Sequence, residues 1–313
     1  MQGPISRRPR IVVVGSYAVG LVMRTEHLPA QGETVLGRDF QAMDGGKGSN
    51  QAVACARLGA ETLFLAAIGE DAYGERCLSL LQAESVDTAL VRRVPGVSTG
   101  VGFIMVDAAG HNAIAVDLGA NLHLSCADVD RAEEAIAAAD AVLCQLEIAP
   151  EVALHAATVA RRHGVRTILN PAPAQPLPAR GLAGVDILTP NLSEASILSG
   201  STASDTLGQG QALRDAGVGT VILTLGEHGA LVVDAAGSRQ IPAVQVEAVD
   251  TTGAGDAFSA ALAVALAEGT SLDDAVRFAC AAGAFSVRSL GTVPSYATRS
   301  QLTEFVESLY HAL

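Results

Sequence analysis

The chain has 313 residues, 49% of them apolar, with 20 basic side chains against 33 acidic ones and a net charge of −13. That balance argues against a broad nucleic-acid surface, which needs clustered Lys and Arg, but leaves room for a small anion held by backbone N–H groups and one cation. Cys55, Cys77, Cys126, Cys144 and Cys280 form no CxxC pair, which speaks against a zinc site and fits reduced thiols in a cytoplasmic protein.

Arg7, Arg8 and Arg10 precede IVVVGSYAVGLVM, a basic-then-apolar order that signal peptides share. Gly15 and Ser16 interrupt the apolar run, so IVVVG over 11–15 predicts a first buried strand instead. No run reaches the length of a membrane span. The spacing then predicts a helix over 48–60, a strand over 61–69 and a helix over 77–85. Further on, 141–147 predicts a strand and 151–164 a helix closed by Gly164. RTILNPAP (166–173), VDILTPN (185–191), TVILTLG (220–226) and GALVVD (229–234) continue the strands, and the Pro-rich 170–178 reads as a loop. Such alternation implies a doubly wound, mostly parallel sheet with helices on both faces.

Two regions break this pattern. Residues 16–44 hold no clear helix, and 97–118 predict a β-hairpin around Ala109–Asn112. Together they are expected to form a small β-sheet lid over a site on one α/β domain spanning 1–313. In a doubly wound sheet, ligands sit beyond the carboxyl ends of the strands. Glu147, Asn170, Asn191 and Thr224 to Gly229 fall there.

Two glycine-rich stretches carry the chemistry. In DTTGAGDAFSAAL (250–262), Gly253 and Gly255 allow a concave nest of N–H donors at the mouth of an apolar helix. A phosphoryl group held there would have its charge stabilised, and Asp256 could take the proton from an attacking hydroxyl. The bland alternative is a turn with Asp256 as the helix cap. A dinucleotide turn fits less well, because Phe258 occupies the last position of G-x-G-x-x-G/A and the motif does not follow a first strand. The second stretch, GGKGSNQA (45–52), is not a Walker loop: Gln41 stands where that pattern needs glycine, and Gly48 follows Lys47. Gly45 and Gly46 permit close backbone approach, while Lys47 and Asn50 offer donors to a polyhydroxylated ligand; the alternative is a glycine turn with a solvated lysine.

The two stretches occur in one chain with PAQGET (29–34), IGEDAYGE (68–75), GAN (119–121), QLE (145–147), NPAPA (170–174), TPNLSEA (189–195), TLGEHG (224–229) and GTVPS (291–295). In this order they resemble the ribokinase (PfkB-type) family of sugar kinases over nearly the whole chain. The resemblance implies a ribokinase-like fold and ATP-dependent transfer of phosphate to a sugar hydroxymethyl group. It implies Asp256 as catalytic base and Gly253, Ala254 and Gly255 as the anion hole. Gly46, Lys47, Asn50 and Glu147 would hold the sugar. Asn191, Thr224, Gly226, Gly229, Gly255 and Cys280 would line the ATP site, with Glu194 reaching Mg²⁺ through water. A monovalent cation, usually K⁺, would bind near Asp250, Thr252, Ser286, Ser289, Gly291 and Ser295. Relatives commonly form a homodimer through the β lid.

One departure is conspicuous. Where ribokinase-like sequences carry an Asn and, two residues on, an Asp that grips vicinal sugar hydroxyls, this chain has Ala18 and Gly20. Losing a charge-assisted hydrogen bond costs about 1.5–3 kcal/mol, tenfold or more in affinity. Ribose is therefore expected to be a weak substrate: either the acceptor lacks that diol, or another residue such as Tyr17 or Arg24 reaches it. A nucleoside kinase of the same fold, a non-catalytic sugar-binding relative and a nicotinamide-dependent oxidoreductase are the competing readings.

Overall fold

The computed structural model describes residues 7–177, 181–200 and 205–310. Its strands in chain order are β1 (Arg10–Val14), β2 (Ala18–Thr25), β3 (Gly37–Gly45), β4 (Glu61–Gly69), β5 (Val91–Val94), β6 (Gly100–Val106) and β7 (Asn112–Asp117). There follow β8 (Ala141–Cys144), β9 (Arg166–Leu169), β10 (Ile187–Leu188), β11 (Thr220–Thr224), β12 (Ala230–Asp234) and β13 (Gly237–Ile241). Nine of these strands make one sheet in the order β13-β12-β11-β10-β9-β8-β1-β4-β5. Pairing is parallel from β5 to β11 and antiparallel at the β11–β12–β13 edge, so GALVVD continues the sheet in the opposite sense.

β1 shows why both faces are covered. Ile11, Val12, Val13 and Val14 are all fully buried. Ile11 and Val13 join a core built with helices Lys47–Arg57, Ala254–Ala267 and Leu272–Ser286, while Val12 and Val14 join a second core with helix Pro150–Arg162. A strand buried on both faces reads as a continuous apolar run, as this one does. Alanine is the commonest residue of the first core, so the helices come close to the sheet, with Tyr17, Phe64, Phe258 and Tyr296 as its large buried aromatics.

The predicted elements are present with shifted ends. The helix expected over 77–85 runs Ala72–Ala83, because Asp71 caps it by accepting the Gly74 N–H at 2.8 Å. The strand expected over 185–191 shrinks to Ile187–Leu188, and Asn191 instead bridges to Thr224. The loop expected over 170–178 has its last residue, Pro178, outside the described residues.

The two regions without helices form a separate small sheet in the order β3-β2-β6-β7. Its central pair, β2–β6, is parallel and its outer pairs are antiparallel. Met23, Phe40, Phe103, Ile114 and Val116 stand exposed on it. Among the described residues no helix is long and apolar enough to cross a membrane.

Candidate active site

Strands β8 to β11 run parallel, so their carboxyl ends share one edge, and the two glycine-rich helix mouths open over that edge. Helix Lys47–Arg57 starts at Gly46, whose φ of 91° is left-handed. Glu147 lies just beyond β8 and closes this turn. Its Oε2 accepts the Lys47 backbone N–H at 2.8 Å and the Ser16 hydroxyl at 2.6 Å.

Helix Ala254–Ala267 starts at Gly253, with φ 79° and no side chain capping it. Asp256 is the third residue of that helix, so the cap reading fails: its carboxylate points elsewhere. Asp256 is 3% exposed and needs donors at that depth. Asn50 Nδ2 donates to its Oδ2 at 3.0 Å, and Gln51 Nε2 donates to its Oδ1 at 2.9 Å. A buried amide relay steadies Gln51 in turn. Gln145 Nε2 donates to Gln51 Oε1 at 2.5 Å, and Gln51 Nε2 also reaches Asn170 Oδ1 at 3.2 Å. Asn170 donates to the Thr189 carbonyl at 3.1 Å.

Charges converge at the same place. The Asp256 carboxylate raises the Lys47 pKa above its ordinary value against the opposing effect of burial, with Glu147 and Glu194 adding to it. Burial raises the Glu194 pKa, only partly offset by the Asn191 N–H and Lys47. Glu194 and Asn191 form a reciprocal capping box, each accepting the other's backbone N–H at 2.9 Å. Both therefore sit at the start of helix Leu192–Ser199 and satisfy its first backbone donors.

Beyond the Asp256 helix mouth lies a cavity of about 410 Å³, lined by Thr224, Gly226, Gly229, Gly255 and Cys280 among others. Its remaining wall is largely apolar, including Val244, Val246 and Val287. Burial pushes the Cys280 thiol up to about 11, so it stays a neutral wall group. Asn191 is not in this lining. The loops flanking the helix mouth are drawn together by Asp250, which accepts the Thr252 N–H and the Gly291 N–H, each at 2.9 Å. Burial opposes its ionisation, but donors from Thr252 and Gly291 outweigh that and hold the carboxyl below its ordinary range. Ser286 and Ser295 are buried beside it and donate to the Gly283 and Thr292 carbonyls. The Ser289 N–H bonds to the Ser286 carbonyl at 3.3 Å.

The structure thus brings together Asp256, Lys47, Asn50 and Glu147 on one side, and Thr224, Gly226, Gly229 and Cys280 on the other, with Gly253 to Gly255 between. Gln51, Gln145 and Ser16 are the contributors that motif reading passed over. Their signal was a glutamine inside an apolar helix and another ending an apolar strand, where polar groups need a partner.

A nucleotide-sized cavity ending at a bare helix mouth, beside a buried carboxylate and a lysine, defines a phosphotransferase with an alcohol acceptor. The description "pfkB family carbohydrate kinase" matches residues 8–299, and the chain belongs to that family. It is 40% identical over 303 residues to a ribokinase of Haemophilus influenzae, covering 96% of this chain and 99% of the relative. A deoxyribokinase of Salmonella typhi is 36% identical over 300 residues, covering 95% and 98%. The structure of Arabidopsis thaliana ribokinase complexed with ribose and ATP superposes with a TM-score of 0.90 at 33% identity, over 96% of this chain and 99% of that one. The protein is an ATP-dependent sugar kinase with a ribokinase-like fold.

Proposed function

We propose that Asp256 is the general base that deprotonates a hydroxymethyl group of the acceptor, and that Gly253, Ala254 and Gly255 hold the transferring phosphoryl group. The observation that carries this reading is the placement of Asp256, buried at the mouth of its helix and held by the Asn50 and Gln51 amides. Two donors fix the carboxylate in one orientation, and the helix mouth supplies backbone N–H groups where charge develops. Lys47 keeps its proton and faces the same space.

The acceptor lies against Gly46, Lys47, Asn50 and Glu147. Asn50 Oδ1 is buried without a partner among the described residues, which suits a sugar hydroxyl donating to it. ATP lies in the 410 Å³ cavity, with Asn191 steadying the loop beside Thr224. Mg²⁺ suits Glu194 together with nucleotide phosphates, since this ion prefers one or two carboxylates plus phosphates to an all-protein cage. Among the described residues no cluster of three His, Cys, Asp or Glu side chains forms such a cage. When bound, Mg²⁺ neutralises phosphate charge. The oxygen-rich loops of Asp250, Thr252, Ser286, Ser289, Gly291 and Ser295 suit a hard monovalent cation such as K⁺. The small sheet acts as the lid of a single α/β domain, its exposed apolar side chains suit a homodimer contact, and the protein works in the cytoplasm.

The acceptor lacks the diol that ribose presents to the lid. Gly20 sits on β2 beside Gly102 of β6, so this part of the lid offers bare backbone and no carboxylate.

Replacing Asp256 with Asn should leave ATP binding intact and reduce turnover by about 10²–10⁴-fold. ADP release from Mg·ATP, with and without K⁺, across pentoses, deoxypentoses, hexoses, tetritols and nucleosides measures this and names the acceptor. Near-normal turnover in the variant removes Asp256 from the mechanism. Ribose turnover with a micromolar KM contradicts the assigned role of Gly20.

A further inference from the structure

The chain crosses between the main domain and the small sheet four times: at Tyr17–Ala18, Gly45–Gly46, Thr99–Gly100 and Asp117–Gly119. All four crossings converge on Tyr17. Its backbone N–H donates to Asn121 Oδ1 at 3.0 Å, and its carbonyl accepts Asn121 Nδ2 at 2.8 Å. Asn121 follows directly on the exit at 117–119. Gly100 packs so tightly here that an added Cβ would lie 2.9 Å from the Tyr17 carbonyl oxygen. At Gly46 an added Cβ would lie 2.7 Å from Tyr17 Cα.

The side chain of Tyr17 completes the junction. It is fully buried, and its hydroxyl donates to Asp44 Oδ1 at 2.7 Å. Arg76, on helix Ala72–Ala83, grips the same carboxylate through Nε at 2.8 Å and Nη2 at 2.9 Å, and its Nη2 also donates to the Ala42 carbonyl. A forked guanidinium on a carboxylate is a strong and directional contact. The Asp44 backbone reaches the other half of the site as well. The Thr292 hydroxyl donates to its carbonyl at 3.3 Å, and Thr292 packs against Gly253, where an added Cβ would lie 3.0 Å from its Cγ2. None of these side chains belongs to the acceptor or nucleotide groups described above.

We propose that Tyr17, Asp44 and Arg76 are positioning residues that hold the base of the small sheet and thereby set the Gly46–Lys47 turn relative to the Gly253 anion mouth. Asp44 lies two residues before Gly46 and is gripped on one side by a buried phenol and on the other by a guanidinium. Displacing it moves the turn that orients Lys47 and Asn50. The catalytic consequence rests on the reading of that turn as the acceptor site; the mechanical consequence does not.

Tyr17→Phe keeps the ring and removes only the hydroxyl. Hydrogen exchange of the full chain, without sugar, should then show the amides of Lys47–Asn50 and of Gly291–Ser295 exchanging about tenfold faster, the equivalent of one buried hydrogen bond. The amides of Val12–Val14 should stay within about twofold. With D-ribose as probe acceptor, Tyr17→Phe and Asp44→Asn should each raise the sugar KM by about tenfold and leave the ATP KM within about twofold. Combining the two changes should cost less than the sum of the two, since they share the Tyr17–Asp44 contact while Asp44→Asn also weakens the Arg76 fork. Uniform acceleration of exchange, including β1, or no acceleration at the turn, overturns the proposal, as does a parallel rise of both KM values. If the unaltered protein turns ribose over too slowly for a KM, as the reading of Gly20 allows, the exchange pattern alone decides this proposal.

Discussion

The two glycine turns look alike in sequence and differ in what their glycines are for. At GGKG the missing side chain makes room for the protein itself. An added Cβ at Gly48 would lie 2.3 Å from the Ser16 backbone N and 2.6 Å from the Gly15 carbonyl carbon, both in another segment. At GAGD the missing side chain of Gly255 leaves open space, with nothing within 4 Å of an added Cβ, and that space belongs to the cavity. The first turn is bare so that the helix can seat against β1. The second is bare at Gly255 so that a ligand can seat against the helix, whereas its Gly253, at φ 79°, is bare because Tyr296 and Thr292 crowd it. Only the second kind should be lost without harm to the fold.

Gly255→Ala tests the difference most severely. The methyl group meets no protein atom, so the melting temperature should stay within about 1 °C. Access of the phosphoryl group to the helix mouth is lost, and turnover should fall by about a hundredfold or more, the scale of removing one anion-hole donor. Circular dichroism melting beside the ADP-release assay gives both numbers. A large drop in melting temperature would place Gly255 in the same class as Gly48 and end the distinction.

Gly48→Ala is the converse. Alanine favours the helix by up to about 1 kcal/mol, but here its methyl meets backbone that cannot swing aside. Overpacking of this kind costs about 1–3 kcal/mol, roughly 2–4 °C in melting temperature for a chain of this size. Thermal unfolding of the pair Gly48→Ala and Gly255→Ala, measured together, separates a packing glycine from a ligand glycine.

This distinction also marks the limit of what could be read in the residues. The doubly wound sheet was legible because a strand such as IVVVG, buried on both faces, has only one pattern. The row of strand-end residues followed from topology, and Glu147, Asn170 and Thr224 do lie on one edge. The partition of roles was not legible. Asp256 reads equally as a cap until the structure puts Gly253 at that position and turns the carboxylate toward Asn50 and Gln51. Gln145 and Gln51 were hidden because contacts between residues 94 positions apart leave no local spacing to find. Tyr17 and Asp44 were hidden for a related reason: a residue facing the core and a residue ending an edge strand give no sign that they bond.

Glu194 gives the finest test of the same division between groups that serve the fold and groups that serve a ligand. Burial raises its pKa above the ordinary 4.5; the Asn191 N–H and Lys47 pull it down, and Asp256 pushes it up again. Between about 4.5 and the raised value, the folded protein holds more of this proton than the unfolded chain does. Stability from this group therefore falls as pH rises through that window and stays lost above it. Glu194→Gln keeps an oxygen that can accept the Asn191 N–H, so the capping box survives, while the buried charge goes. The variant should melt roughly a degree or two higher than the parent at pH 7 and at the same temperature near pH 4. It should also need more Mg²⁺ for half-maximal turnover, if the carboxylate is there for the metal. A variant that melts lower at pH 7 would show that the ionised Glu194 stabilises the helix start and owes its place to the fold.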